Sequence, residues 1–232
     1  MIREHFQFRQ TITTILGERS VEIEAAKAGM LEARQAIESV IASDPFFLST
    51  FDPYDPGSNH PVIRRMVDAA YEADVGPMAA VAGTIAWAGA ESMKKAGADL
   101  GVVDNGGDIA LFSDRDLRIG IYAGTGSRNA FQLPPQETII GICTSSASIG
   151  PSISFGLADA VTVFSKDVSA ADAWATALCN QLSPDDRSAF DSLMATHVIG
   201  VLALFGEVMI SYGSVPEIIP AHVNPALITK GI

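Results

Sequence analysis

Between the apolar runs Leu100-Gly101-Val102-Val103 and Ile109-Ala110-Leu111-Phe112 lies the segment Asp104-Asn105-Gly106-Gly107-Asp108. Two short apolar segments parted by a glycine pair read as strands joined by a tight hairpin, because glycine reaches the positive φ that such a turn demands. Strand follows strand here without an intervening helix, so at least part of the sheet is antiparallel. Leu117 to Tyr122, Glu137 to Cys143 and Ala160 to Phe164 read as three more strands. At the N-terminal end, Phe6, Phe8, Thr11 and Ile15 belong to a β-like run through Leu16. Gly17-Glu18 is predicted to turn that run into a second strand at Val21 to Ile23.

Helical spacing is equally plain elsewhere. Ala26, Met30, Ala33, Ile37 and Val40 fall on one face of a predicted helix from Glu24 to Ile41, which Asp44-Pro45 closes. Further helices are predicted at Val62 to Ala73, at about Ala79 to Lys95 and at Ala170 to Gln181. The stretch from Asp185 to Ile219 is expected to hold another helix and then strands. Strands paired locally and helices packed in pairs predict an α+β fold, a single domain over residues 1–232, rather than a doubly wound parallel sheet.

Composition bounds what such a domain can do. With 48% hydrophobic residues in 232 the chain can bury a real core, and disorder is excluded. Fifteen basic against 27 acidic residues, a formal charge of −12, argue against general nucleic-acid binding, which needs clustered Lys and Arg. An anionic ligand would have to be met by local backbone donors. Cys143 and Cys179 lie in no Cys-x-x-Cys or Cys/His cluster, so zinc and iron–sulfur sites lack ligands and two reduced, buried thiols are expected. Arg3, Glu4 and Arg9 precede any apolar run, unlike a secretory signal. Val75 to Ala90 and Val198 to Tyr212 are too short to span a bilayer. A cytoplasmic protein with no membrane partner follows, and the apolar C-terminal runs are compatible with a homodimer.

Four segments carry more than packing requires. Gly76, Pro77, Met78, Ala79 and Ala80 open a helix with almost no side-chain bulk, leaving its N–H groups open to a phosphate or carboxylate, or to a closely packed neighbour. Asn105, Gly106, Gly107 and Asp108 form a turn whose amides a ligand can reach, with an amide and a carboxylate at its rim; a plain hairpin is the alternative. Thr144, Ser145 and Ser146 lead a hydroxyl-rich loop after an apolar strand, suited to phosphate oxygens, although the Gly-x-x-x-x-Gly-Lys-Ser/Thr pattern of a P-loop is absent. Asp172 and Thr176, four apart on a helix, put a carboxylate and a hydroxyl on one face. That suits Mg²⁺, which takes few protein oxygens and completes its octahedron with water or phosphate, while a carboxylate that merely stabilises the first turn is the simpler alternative.

The order Gly-Pro-Met-Ala-Ala-Val-Ala-Gly, Asn-Gly-Gly-Asp, Thr-Ser-Ser, Ala-Asp-Ala-Val-Thr-Val and Ala-Asp-Ala-Trp-Ala-Thr-Ala-Leu, over about residues 75–182, resembles the ApbE superfamily, whose characterised members are FAD:protein FMN transferases. It looks like a small branch of that superfamily from archaea and anaerobic bacteria. The resemblance implies an ApbE-like fold, FAD or FMN as ligand, magnesium on Asp172 and Thr176, and a cofactor beside Ala79 to Gly83, Asn105 to Asp108 and Thr144 to Ser146. The departures are equally specific. Ala82 stands where the family has Lys, Ser146 where it has Gly, and Ser152 to Asp159 replaces its His-x-x-Asp-Pro-x-Thr-Gly segment. No general base is evident: His197 lies in an apolar stretch and is expected in the core, and only His60, in the Pro-rich loop, remains a candidate. The expected function is a flavin-nucleotide or other phosphorylated-cofactor binding protein. A transferase or hydrolase of FAD with a rearranged site, and a non-catalytic scaffold, are the alternatives.

Overall fold

The computed structural model describes residues 1–121, 129–146, 158–222 and 229. Its first hairpin turns at Arg9-Gln10, not at Gly17-Glu18. Strands β1 (Ile2–Phe8) and β2 (Thr11–Gly17) pair antiparallel, Ile2 opposite Gly17 and Phe8 opposite Thr11, with Arg9 at φ 54°. Val21 to Ile23, expected as a strand, lie in α1 (Ser20–Ser43). The reason is Glu22. Its buried carboxylate accepts the Glu18 and Arg19 amides at 2.7 and 2.9 Å and Arg19 Nε at 2.6 Å, so the helix entrance is satisfied there and Ile23 is drawn into the core. Local β preference loses to that cap.

The Pro-rich loop carries only the short α2 (Phe46–Ser49). It is followed by α3 (Pro61–Ala73), a 3₁₀ turn at Pro77–Ala80, and α4 (Val81–Lys95). Then come β3 (Leu100–Asn105), β4 (Asp108–Ser113), β5 (Leu117–Gly120), β6 (Asn129–Leu133) and β7 (Gln136–Ser145). The chain continues through β8 (Ala160–Ser165), α5 (Val168–Gln181), β9 (Val198–Phe205), β10 (Val208–Gly213) and β11 (Glu217–Pro220). The helix expected after Asp185 is only a 3₁₀ turn, Ser188–Leu193, which buries Ala189, Phe190 and Leu193.

Eight strands form one sheet in the order β1-β2-β3-β4-β7-β8-β9-β10, every neighbour antiparallel, and β11-β6-β5 form a second. The helices cover one face of the large sheet. Strand alternation sends Ile15, Val103, Ala110, Phe112, Cys143 and Val163 into that core. Val102, Leu111, Ile142, Phe164 and Leu202 point the other way, where Phe131 and Leu133 of the small sheet close over them. The domain is therefore α+β, as the paired strands predicted. Both cysteines are buried and outside any disulfide, and among the described residues no helix is long and apolar enough to cross a membrane.

Helices α1 and α4 approach closely through glycine. A Cβ on Gly29 would lie 2.6 Å from the Ala88 carbonyl, and one on Gly89 would lie 2.9 Å from Met30 Cγ. His197 departs from expectation. It precedes β9 with its side chain 63% exposed, and Nδ1 lies 2.8 Å from Glu72 Oε2, the same carboxylate that accepts Trp174 Nε1 at 2.9 Å. Its apolar flanks belong to the strand that follows it.

Candidate functional site

The β3–β4 turn, the end of β7, the entrance of α4 and the first half of α5 meet at one end of the large sheet. Asn105 and Asp108 face each other across the turn, and Gly106 and Gly107 hold φ of 71° and 109°, values that a side chain would oppose. Asp104 Oδ1 accepts the Gly107 amide at 2.9 Å and fixes the turn from within. Asn105 Nδ2 then donates to the Ala82 carbonyl at 3.0 Å, tying the turn to the first turn of α4.

From the other side, Asp172 of α5 accepts the Gly83 amide on Oδ2 at 2.7 Å. A carboxylate on an unpaired amide of a helix entrance is a favourable cap, and here it comes from another helix. The contact explains the small residues of α4: a Cβ on Gly83 would lie 2.8 Å from both Asp172 Cβ and the Val168 carbonyl. Gly76 is likewise closed off, by the Thr50 carbonyl, and Pro77 and Ala80 are buried. Of the five residues proposed to open this helix to a ligand, Met78 and Ala79 keep partial exposure.

Asp108 shares the helix-side face of the sheet with Asn105 and with Cys143, its register partner on β7. Burial, and then the charge of Asp104, push the Asp108 carboxyl up to about 7, with the Thr144 amide working against them. Burial followed by the charge of Asp108 pushes Asp172 well above the usual carboxylate range, while the Gly83 amide pulls it back. Burial raises Cys143 as well, helped by both carboxylates, and its Sγ lies 3.6 Å from the Val168 carbonyl. Among the described residues no Lys, Arg or His forms an ion pair with Asp108 or Asp172. Thr176, half-buried, sits one turn beyond Asp172 on α5.

The hydroxyl loop is less unified than its sequence. Thr144 and Ser145 are the last residues of β7, so their side chains lie on opposite faces. Thr144 Oγ1 is 2.9 Å from Thr162 Oγ1 on the neighbouring strand, whereas Ser145 lies on the face of Asp108. Ser146 Oγ donates to the Asp159 carbonyl at 2.6 Å. Residues 147–157, which include the rest of that loop and most of the segment replacing the family's histidine motif, lie outside the described residues. His60 is occupied at the entrance of α3, its Nδ1 accepting the Val62 amide at 3.3 Å. Asp104 and the Gly83–Asp172 contact were not legible in advance. An Asp three residues before a glycine was the one available signal for Asp104.

Solved structures share this architecture. The flavin transferase ApbE from Vibrio cholerae matches with a TM-score of 0.57 at 13% identity, over 92% of this chain and 96% of that one. The apo form of Pseudomonas stutzeri flavinyl transferase ApbE matches with a TM-score of 0.59 at 12% identity, over 100% and 98%. The fold is thus that of the ApbE flavin transferases. A family model described as "AbpE bacteria" matches residues 4–201, well beyond the 75–182 that the motifs cover, and the chain belongs to that family. Among its relatives, UPF0280 proteins of Methanosphaerula palustris and Methanoculleus marisnigri are 57% and 59% identical over 234 residues, covering all of this chain and 99% and 96% of theirs.

Proposed function

We propose that this end of the sheet binds a phosphorylated cofactor, a flavin nucleotide such as FAD or FMN, together with a divalent cation held by Asp172, Thr176 and Asp108. The observation that carries this reading is the convergence of two carboxylates, from β4 and α5, at the entrance of α4, neither of them in an ion pair among the described residues. Buried like charges left unpaired are costly, and a bound cation removes that cost. The donors fit Mg²⁺: they are all hard oxygens and few, and Asp172 keeps Oδ1 free of the Gly83 amide.

Magnesium, when bound, neutralises phosphate charge and polarises a phosphoryl group. The chain's own residues bind and orient. Asp172 stays fixed by Gly83, Asn105 holds the turn against α4, and the amide of Gly106 with the hydroxyl of Ser145 supplies neutral donors. Cofactor binding is favoured over flavin transfer, because Ala82 and Ser146 replace the transferase residues and His60 is engaged as a helix cap. Two buried cysteines outside any disulfide support a reducing, cytoplasmic setting.

Titration calorimetry of the protein with FAD and with FMN, with and without Mg²⁺, tests the reading. Binding that strengthens with Mg²⁺ in the parent and loses that dependence in Asp172→Asn is expected. A parent indifferent to Mg²⁺ with either flavin nucleotide, or colourless and non-binding throughout, would overturn it in favour of a scaffold.

A further inference from the structure

Thr14 and Asp104 are cross-strand partners on β2 and β3, on the sheet face away from the helices. Above both sits Thr229, the one described residue beyond His222. Its buried Oγ1 lies 2.5 Å from Asp104 Oδ2 and 2.8 Å from Thr14 Oγ1. One hydroxyl donates a single proton, so Thr229 donates to the carboxylate and Thr14 donates to Thr229. The other oxygen of Asp104 accepts the Gly107 amide at 2.9 Å. A continuous chain of hydrogen bonds therefore runs from Thr14 through Thr229 and Asp104 into the glycine turn that presents Asn105 and Asp108 on the opposite face.

We infer that Thr229 is a positioning residue for the β3–β4 turn, so that a residue 215 positions from Thr14 in sequence sets how rigidly Asp108 is offered to the site. The part of this inference that concerns ligand rests on the cation-binding reading above. Asp104 is half-buried, and both of its oxygens are used. Losing the Thr229 hydroxyl leaves one oxygen without that donor, and the cheapest relief is to turn Asp104 toward water, which releases Gly107. Gly106 and Gly107 have no side chains to hold the turn once that amide is free.

Hydrogen–deuterium exchange of the ligand-free protein in chelator isolates this effect from any metal. Thr229→Val should speed exchange of the amides at residues 105–108 by about tenfold or more, with α1 and β9 unchanged, and Thr229→Ser should restore the parent rate. Thr14→Val, which removes the second hydroxyl of the chain, should loosen the same amides and serves if Thr229→Val fails to fold. Unchanged exchange at the turn in a folded Thr229→Val, or acceleration spread evenly over the large sheet, would overturn the inference. A parallel Mg²⁺ titration should show weaker affinity in Thr229→Val than in the parent. If the parent binds no Mg²⁺, the cation-binding reading fails while the exchange result still decides the role of Thr229.

Discussion

Asp108→Asn should make the metal-free protein more stable at pH 8. Folding lifts the Asp108 carboxyl from the ordinary 3.8 to about 7, so the folded state holds a proton that the unfolded chain has already released. Between those two values stability falls as pH rises, the reverse of a salt-bridged carboxylate. Three pH units at about 1.4 kcal/mol each amount to about 4 kcal/mol, an upper limit because Asp172 and Asp104 share the same field. The amide removes the charge and keeps the shape, so in chelator the variant should exceed the parent by a sizeable part of that figure at pH 8 and by roughly a third as much at pH 5. Magnesium should close much of that gap: a ligand at one hundred times its dissociation constant adds about 2.7 kcal/mol to the parent, and the variant forgoes most of it. Urea unfolding at the two pH values, in chelator and in excess Mg²⁺, supplies all four comparisons. If Asp108→Asn loses stability in chelator equally at pH 5 and pH 8, the carboxylate is well served by neighbours and the like-charge argument is wrong.

Gly83→Ala should destabilise the fold by about 1–3 kcal/mol even though alanine favours helix, because its methyl would lie 2.8 Å from Asp172 Cβ and the Val168 carbonyl; thermal denaturation reads the loss, and a neutral result would mean that α4 and α5 part easily. Glu22→Gln should cost about 1.5–3 kcal/mol at pH 7 by weakening three bonds at the start of α1. Burial opposes ionisation of Glu22, but Arg19 and the Glu18 amide outweigh it and hold its carboxyl below 4.5, so its contribution is present above that value and disappears as pH falls further. Unfolding of parent and variant should therefore converge in acid.

Sequence reading went furthest where local chemistry leaves few options. Asn105-Gly106-Gly107-Asp108 could only be a turn, and the apolar spacing of α1 survives in the structure. It failed where a tertiary contact decided the outcome. Val21 and Ile23 are β-branched and extended by preference, yet Glu22 caps a helix through them. The apolar neighbours of His197 predict a core position, yet Glu72, 125 positions away, holds it at the surface. Strand β6 carries little local signal, because Asn129 to Leu133 is short and owes its burial to partners on β5 and β11. At the site, the small residues before Gly83 were legible as a close approach, but nothing local could tell that part of that approach comes from Asp172, 89 positions on.

The small sheet has a consequence for how the chain comes off the ribosome. Strand β6 pairs on one side with β5, close in sequence, and on the other with β11, Ile218 opposite Phe131 and Glu217 opposite Gln132. Until β11 emerges, β6 has an open edge and Phe131 and Leu133 lack part of their cover, while the eight strands beneath them are already complete at Gly213. Nascent chains of this protein therefore pass through a late stage with one sticky flank, the stage at which chaperone capture and edge-to-edge aggregation compete with the last long-range strand pairing.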